Sequence, residues 1–258
     1  MNVTLQVWRQ DGPDAAGRYE TYQVEGIDPD ASLLEMMDIL NDDLIERGDR
    51  AIAFDHDCRE GICGACSMTI DGRPHGPGER TTTCQIYMRQ FPDGATIKVE
   101  PFRSSTFPVI RDLIVDRSAL DRIQQAGGYT GVDSGPKPEP NANPISPEDA
   151  EEAIDAAICI GCGACVAACP NGAAMLFTGA KVTHLAKLPQ GQAARYTRVQ
   201  DMVEQMDAEG FGGCTNFGEC EAVCPQGISI RVIGRLNRDH LAGVLYHPRN
   251  PRGGMLPQ

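Results

Sequence analysis

The sequence reads as an α+β protein, with a β-rich N-terminal part followed by an all-α C-terminal part. Three observations say so. Near the N-terminus apolar and polar residues alternate, as at Val3, Leu5 and Val7, which is the period of a half-buried strand. Beyond residue 146 the pattern changes to capped helical segments. The eleven cysteines fall into three groups, one in the first part and two in the second.

The elements follow in order. Val3 to Val7 is a strand, and Tyr19, Tyr22 and Val24 mark a second after a Gly/Asp/Ala turn region at residues 11–17. Ser32 is placed to N-cap a helix over Leu33 to Glu46 that stops near Gly48. Met68 and Ile70 form a short strand ending in the hairpin dipeptide Asp71-Gly72, and Thr96 to Glu100 forms another strand. Residues 108–126 carry Val109, Ile110, Leu113, Ile114 and Leu120 and are expected to be helical. Gly, Pro, Asn and Asp dominate residues 127–144, which reads as a linker or surface strap. Ser146 and Pro147 then start a helix with acidic first turns. Further helices run from Arg195 to Glu209, stopped by Gly210, and from Ile228 to about Leu245. The expected domains are residues 1–110, a helix and linker over 111–145, and a helical domain over 146–258.

Composition excludes several classes of function. No apolar run is long enough to span a bilayer, and the N-terminus lacks the basic and apolar regions of a signal peptide. Eleven cysteines, an odd number, without an export signal argue against a disulfide framework and for metal ligation. A net charge of −13 makes nucleic acid a poor partner.

The first cysteine group, Cys58, Cys63, Cys66 and Cys84, has the pattern C-x4-C-x2-C-x17-C. That is the spacing of plant-type [2Fe–2S] ferredoxins, in which one short loop brings three thiolates to the cluster and a later residue supplies the fourth. Gly61 and Gly64 permit the tight turns, and their amides are expected to donate to the sulfurs. The alternative is a four-cysteine zinc site, but zinc sites more often use two separated C-x2-C knuckles.

Cys159, Cys162, Cys165 and Cys169, followed by Pro170, form the bacterial ferredoxin run C-x2-C-x2-C-x3-C-P, whose fourth cysteine serves the other cluster of a pair. The same ruler laid from Cys214 falls on 217, 220 and 224. Cys220, Cys224 and Pro225 match it, whereas position 217 is Phe217. The expected ligand sets are therefore Cys159, Cys162, Cys165 and Cys224 for a [4Fe–4S] cluster, and Cys169, Cys214 and Cys220 for a [3Fe–4S] cluster. A [4Fe–4S] cluster with water on its open iron is the alternative for the second set. The apolar ring of Phe217 favours the three-iron form.

The segments CREGICGACSMTIDGR, CIGCGACVAACP and CTNFGECEAVCP, in this order, resemble those of the iron–sulfur subunits of succinate dehydrogenase and fumarate reductase. The resemblance runs from about residue 3 to 246. It implies a β-grasp, plant-type ferredoxin-like N-terminal domain and an all-α bacterial ferredoxin-like C-terminal domain. It further implies a partner flavoprotein with bound FAD that carries out the substrate oxidation, and a membrane anchor that binds quinone. The chain would then be the electron-transfer subunit of a succinate:quinone oxidoreductase, peripheral on the cytoplasmic face of the membrane or its matrix-side equivalent. The same role in a quinol:fumarate reductase is the alternative. Ubiquinone-reducing members carry Trp residues after the second run's Cys-Pro and a His after the first cysteine of the third group. Here Pro170 is followed by Asn171, Gly172, Ala173 and Ala174, and Thr215 stands in place of the His. The chain accordingly resembles members that work with menaquinone, or that place the quinone mainly in the anchor; menaquinone is the expected quinone, with Pro170 and Thr215 the quinone-proximal residues.

A free-standing soluble ferredoxin is the competing class, although free ferredoxins are usually shorter. Of the histidines, His56, His75, His184, His240 and His247 show no mutual ligand spacing and read as packing or surface residues. Arg231, Arg235 and Arg238 recur at helical spacing, ahead of Arg249 and Arg252. They form either a basic face toward lipid head groups or an ordinary solvated face. The tail from His247 is expected to be irregular.

Overall fold

The computed structural model describes residues 1–131, 139, 141–142 and 144–248. Most of the expected linker's Pro-rich centre, the tail beyond residue 248, Arg249 and Arg252 lie outside the described residues. The chain divides into two compact units. One comprises Met1–Arg117, Ile160–Gly172 and Ala222–Gly227; the other comprises Ser118–Cys159, Ala173–Glu221 and the chain from Ile228.

In the first unit, β1 (Val3–Arg9) and β2 (Arg18–Val24) form an antiparallel hairpin. Alternate residues of β1 are buried, as the sequence period requires. Helix α1 (Leu33–Glu46) follows, then the short strands β3 (Met68–Ile70) and β4 (Arg73–Pro74), and then β5 (Thr96–Pro101). β5 pairs in parallel with β1, setting Val7 beside Val99, and antiparallel with β3. The sheet order is β2-β1-β5-β3-β4. Leu33, Met37, Leu40 and Leu44 of α1 bury into one core with Leu5, Val7, Ile97 and Val99. One helix gripping a mixed sheet is the β-grasp arrangement that the resemblance implies.

α1 starts where the sequence places it. Ser32 Oγ accepts from the Glu35 amide at 3.2 Å, and the Glu35 carboxylate accepts from the Ser32 amide at 2.6 Å. Asp71 and Gly72 turn the β3–β4 hairpin with φ of 49° and 79°, the left-handed pair that a tight two-residue turn needs.

Residues 108–126 are not one helix. They form β6 (Val109–Arg111), β7 (Ile114–Val115) and then helix α2 (Ser118–Gly127). The β-branched residues of the segment fit strands. Asp112, at φ 46°, is fully buried and accepts from the amides of Gln10 (2.9 Å) and Ala53 (3.0 Å) and from Arg50 (3.0 Å). Those long-range bonds fix a turn where apolar spacing alone suggested a helix.

The second unit is helical. α3 (Pro147–Ala157), capped by Ser146 Oγ on the Asp149 amide, packs on α5 (Met175–Lys187), and α5 packs on α8 (Arg231–Tyr246). Helix α6 (Arg195–Ala208) packs on α2 and α8. Two short helices follow cysteine turns: α4 (Ala164–Ala168), which belongs to the first unit, and α7 (Glu219–Ala222), most of which belongs to the second. Gly179 of α5 admits α8 closely, because a Cβ there would lie 3.0 Å from the Val232 carbonyl. The buried Arg198 donates to the carbonyls of Gly127 and Gly191, both at 2.9 Å, so satisfying the end of α2. Arg195 makes a two-pronged pair with the buried Asp239, which Arg235 also approaches at 3.4 Å. Arg235 is thus committed to an internal pair, while Arg231 and Arg238 are exposed. Among the described residues, no helix is long and apolar enough to cross a membrane.

Candidate metal centres

The first cysteine loop wraps back on itself. Arg59, Gly61 and Gly64 take φ of 56°, 79° and 73°. The amide of Glu60 donates to Cys58 Sγ at 3.3 Å, and that of Ala65 donates to Cys63 Sγ at 3.4 Å. The expected donors were the glycine amides themselves. The amides that reach sulfur instead belong to Glu60 and Ala65, each directly after a left-handed residue, Arg59 and Gly64. The amides of Glu60 and Ile62, together with Cys63, pull the half-buried Cys58 thiol down to about 7. Cys84 arrives on a single helical turn at Thr83–Gln85, hydrogen-bonded to Thr82 Oγ1 at 3.2 Å. Burial, and then the charges of Cys84 and Cys63, push Cys66 up to about 12. Such a thiol resists becoming a bare thiolate, and a cation bound at the sulfur removes that penalty. Among the described residues, none of the eleven cysteines is tied up in a disulfide. Among the described residues no three such side chains stand as a closed metal site, but thiols neighbouring in pairs (Cys58 with Cys63, Cys66 with Cys84), amides aimed at sulfur and a buried thiol in need of a cation fit an iron–sulfur cluster.

The loop is anchored on several sides. Arg59 pairs with Asp38 of α1 at 2.7 Å, Gln85 Nε2 donates to the Arg59 carbonyl at 2.7 Å, and Gln226 donates to the Gly61 carbonyl at 3.2 Å. Gln226 follows Cys224 and Pro225, so the end of the third cysteine group packs in the same unit as the first group.

The two ferredoxin-type runs repeat one backbone design. Gly161 and Gly163 have φ of 64° and 85°, and at the equivalent places Asn216 and Gly218 have 64° and 87°. The Val166 amide donates to the Gly163 carbonyl at 3.0 Å, and the Glu221 amide to the Gly218 carbonyl at 3.1 Å. Gly172 and Gly227, at 61° and 66°, donate to the carbonyls of Cys169 and Cys224 at 2.9 and 3.0 Å. In this alignment Phe217 takes the place of Cys162.

Family models for a 2Fe-2S iron-sulfur cluster binding domain and a 4Fe-4S dicluster domain match residues 4–122 and 155–228. The chain is 30% identical over 252 residues to the succinate dehydrogenase iron-sulfur subunit of Bacillus subtilis, covering 92% of each chain. It belongs to the family of succinate dehydrogenase and fumarate reductase iron–sulfur subunits. A fumarate reductase iron-sulfur subunit of Mycobacterium tuberculosis is 29% identical over 224 residues, 83% of this chain and 82% of that one. A chain of the Mycobacterium smegmatis Sdh1 complex in the apo form has the same fold, with a TM-score of 0.64, 21% identity, and coverage of 97% and 98%.

Within this iron–sulfur subunit, the first unit carries Cys58, Cys63, Cys66, Cys84, Cys162, Cys165, Cys169 and Cys224, and the second carries Cys159, Cys214 and Cys220. Cys66, Cys84, Cys162 and Cys165 are buried, whereas Cys214 is exposed. Pro170 and Thr215 are exposed, as is Phe217. His75, expected to be a packing or surface residue, is buried against Phe102, their ring centroids 5.4 Å apart. Residues that the sequence did not single out also contribute. Thr82 meets the Cys84 sulfur, and Ser67 and Arg117 bind the cysteine loops. The contacts of Ser67 and Arg117 with Cys162 are long-range and so carry no local signal, whereas Thr82 stands two residues from Cys84 and could have been found by position.

Proposed function

We propose that this iron–sulfur subunit serves a succinate dehydrogenase and holds three clusters: a [2Fe–2S] on Cys58, Cys63, Cys66 and Cys84, a [4Fe–4S] on Cys159, Cys162, Cys165 and Cys224, and a [3Fe–4S] on Cys169, Cys214 and Cys220. The observation that carries the ligand sets is the repeated backbone of the two ferredoxin-type runs. It supports the register that puts Phe217 where the other run has a thiol. Bound clusters supply one-electron carriers between the FAD of a partner flavoprotein and quinone at a membrane anchor. The chain's own part is to hold sulfur in place, donate amides to it and tune its charge. The subunit would sit peripherally on the cytoplasmic side of the membrane. Menaquinone is the favoured quinone and Pro170 and Thr215 its neighbours, since the tryptophans and the histidine of ubiquinone-reducing members are absent at these places.

The reverse direction, quinol:fumarate reduction, is the second reading. It is favoured by the nearly equal identity to subunits of that name, 29% against 30%. The test is to add succinate anaerobically to the purified complex, without quinone, and follow the visible absorbance. Bleaching of the cluster bands by succinate, faster than their reoxidation by fumarate, is expected of a succinate dehydrogenase. Fast reoxidation by fumarate with slow bleaching assigns the reverse direction. No response to either contradicts both.

A further inference from the structure

Two cysteine loops meet inside the first unit, and a single cation joins them. Arg117 Nη1 donates to the Gly64 carbonyl at 2.6 Å, to Ser67 Oγ at 2.8 Å and to the Cys162 carbonyl at 2.9 Å, while Nη2 reaches the Ala65 carbonyl at 3.5 Å. Ser67 Oγ bonds the same Gly64 and Cys162 carbonyls, both at 2.9 Å. The loops are in direct contact here. A Cβ on Gly64, at φ 73°, would lie 2.6 Å from the Ile160 carbonyl and 3.2 Å from Cys162 N and Cα. Gly163 is closed in the same way by Phe107 and by the Arg117 stem, at 2.9 and 3.5 Å.

Among the described residues, these partners of Arg117 are three carbonyls and a hydroxyl, all neutral. No hydrogen-bonded carboxylate cancels the charge. Guanidinium stays charged at any ordinary pH, and its planar fork suits several acceptors at once.

We propose that Arg117 is a positioning residue that locks the Gly64–Ser67 loop to the Cys162 loop and, through its uncancelled positive charge, raises the reduction potentials of both clusters these loops carry. The proposal rests on the assignment of Cys63, Cys66 and Cys162 as cluster ligands. Reduction adds one negative charge to a cluster, and a fixed cation nearby in a partly desolvated setting stabilises the reduced form. Because the two loops share one guanidinium, both potentials should move together. Ser67 tightens the joint without adding charge.

The test is an EPR-monitored redox titration of the purified complex, comparing wild type with Arg117→Met, Arg117→Lys and Ser67→Ala. In Arg117→Met, the reduced-to-oxidised ratio of both the [2Fe–2S] and [4Fe–4S] clusters at their wild-type midpoints should fall about tenfold, which is about 59 mV for one electron. Arg117→Lys should restore most of that shift, and Ser67→Ala should leave both midpoints near wild type. Should Arg117→Met fail to assemble, Arg117→Gln keeps a donor for the carbonyls and makes the same comparison of charge. Unchanged midpoints in the neutral variants, or a shift that lysine does not reverse, overturn the proposal. Absence of these cluster signals from wild type would overturn the ligand assignment instead, which separates the two failures.

Discussion

At the scale of single residues, the cysteine spacing is visible in the sequence because it is a local property, whereas the surroundings of each sulfur are not. The amides that turn toward sulfur follow left-handed residues, Arg59 as well as Gly64, whereas the sequence pointed to the glycine amides themselves. Asp112 escaped notice for a related reason: Gln10, Arg50 and Ala53, which it binds, lie far away along the chain. His75 shows what burial does to an ordinary group. Its Nδ1 accepts from the Thr83 amide at 3.3 Å, so the neutral ring carries its proton on Nε2. Burial, and then the charge of Arg117, hold it down to about 3. Its folded value lies below its unfolded value of about 6.5, so the unfolded chain binds the extra proton first. The stability contributed by neutral His75 is therefore complete above about pH 6.5 and is lost as the pH falls from there toward 3. Between pH 7 and 5 the loss should be about 2 kcal/mol. In His75→Asn, which tolerates the local φ of 61°, this part of the acid sensitivity should vanish. Urea midpoints of the cluster-loaded chain at the two pH values measure it, and an equal loss in wild type and variant would refute it.

At the scale of elements, helices with side-chain caps were read well. Ser32 and Ser146 each accept from an amide three residues on, and the Ser-x-x-Glu pattern of α1 is visible in the sequence. Ser32→Ala should lower stability by about 1 kcal/mol through loss of that cap, seen as a lower unfolding midpoint with an unchanged urea slope. No change would mean that Glu35 alone satisfies the end of the helix. The β6–β7 hairpin was missed because its apolar residues also fit a helical period. Its buried turn is decided by tertiary hydrogen bonds, which override local pattern. The repeat between the two cysteine runs was half visible. Cys220, Cys224 and Pro225 set the ruler, but only the backbone angles at Asn216 and Gly218 show that the chain keeps the same turn around Phe217.

At the scale of the whole molecule, the order of β-rich and helical parts was plain in the sequence. The packing of residues 160–172 and 222–227 into the first unit was not, because no local pattern announces a segment that leaves its neighbours. That packing brings the ends of both ferredoxin-type runs to the unit that carries the first cysteine loop, through contacts such as Gln226 with Gly61. A chain with three differently ligated clusters is the central claim, and its sharpest element is the missing thiolate at position 217. The most direct measurement is low-temperature EPR of the anaerobically purified, oxidised complex, wild type beside Phe217→Cys. A three-iron signal is expected in wild type and is lost in Phe217→Cys as a fourth iron is bound, with iron content rising accordingly. A wild-type complex without the three-iron signal, or a Phe217→Cys complex that keeps it at full iron loading, would contradict the ligand sets drawn through Cys169, Cys214 and Cys220.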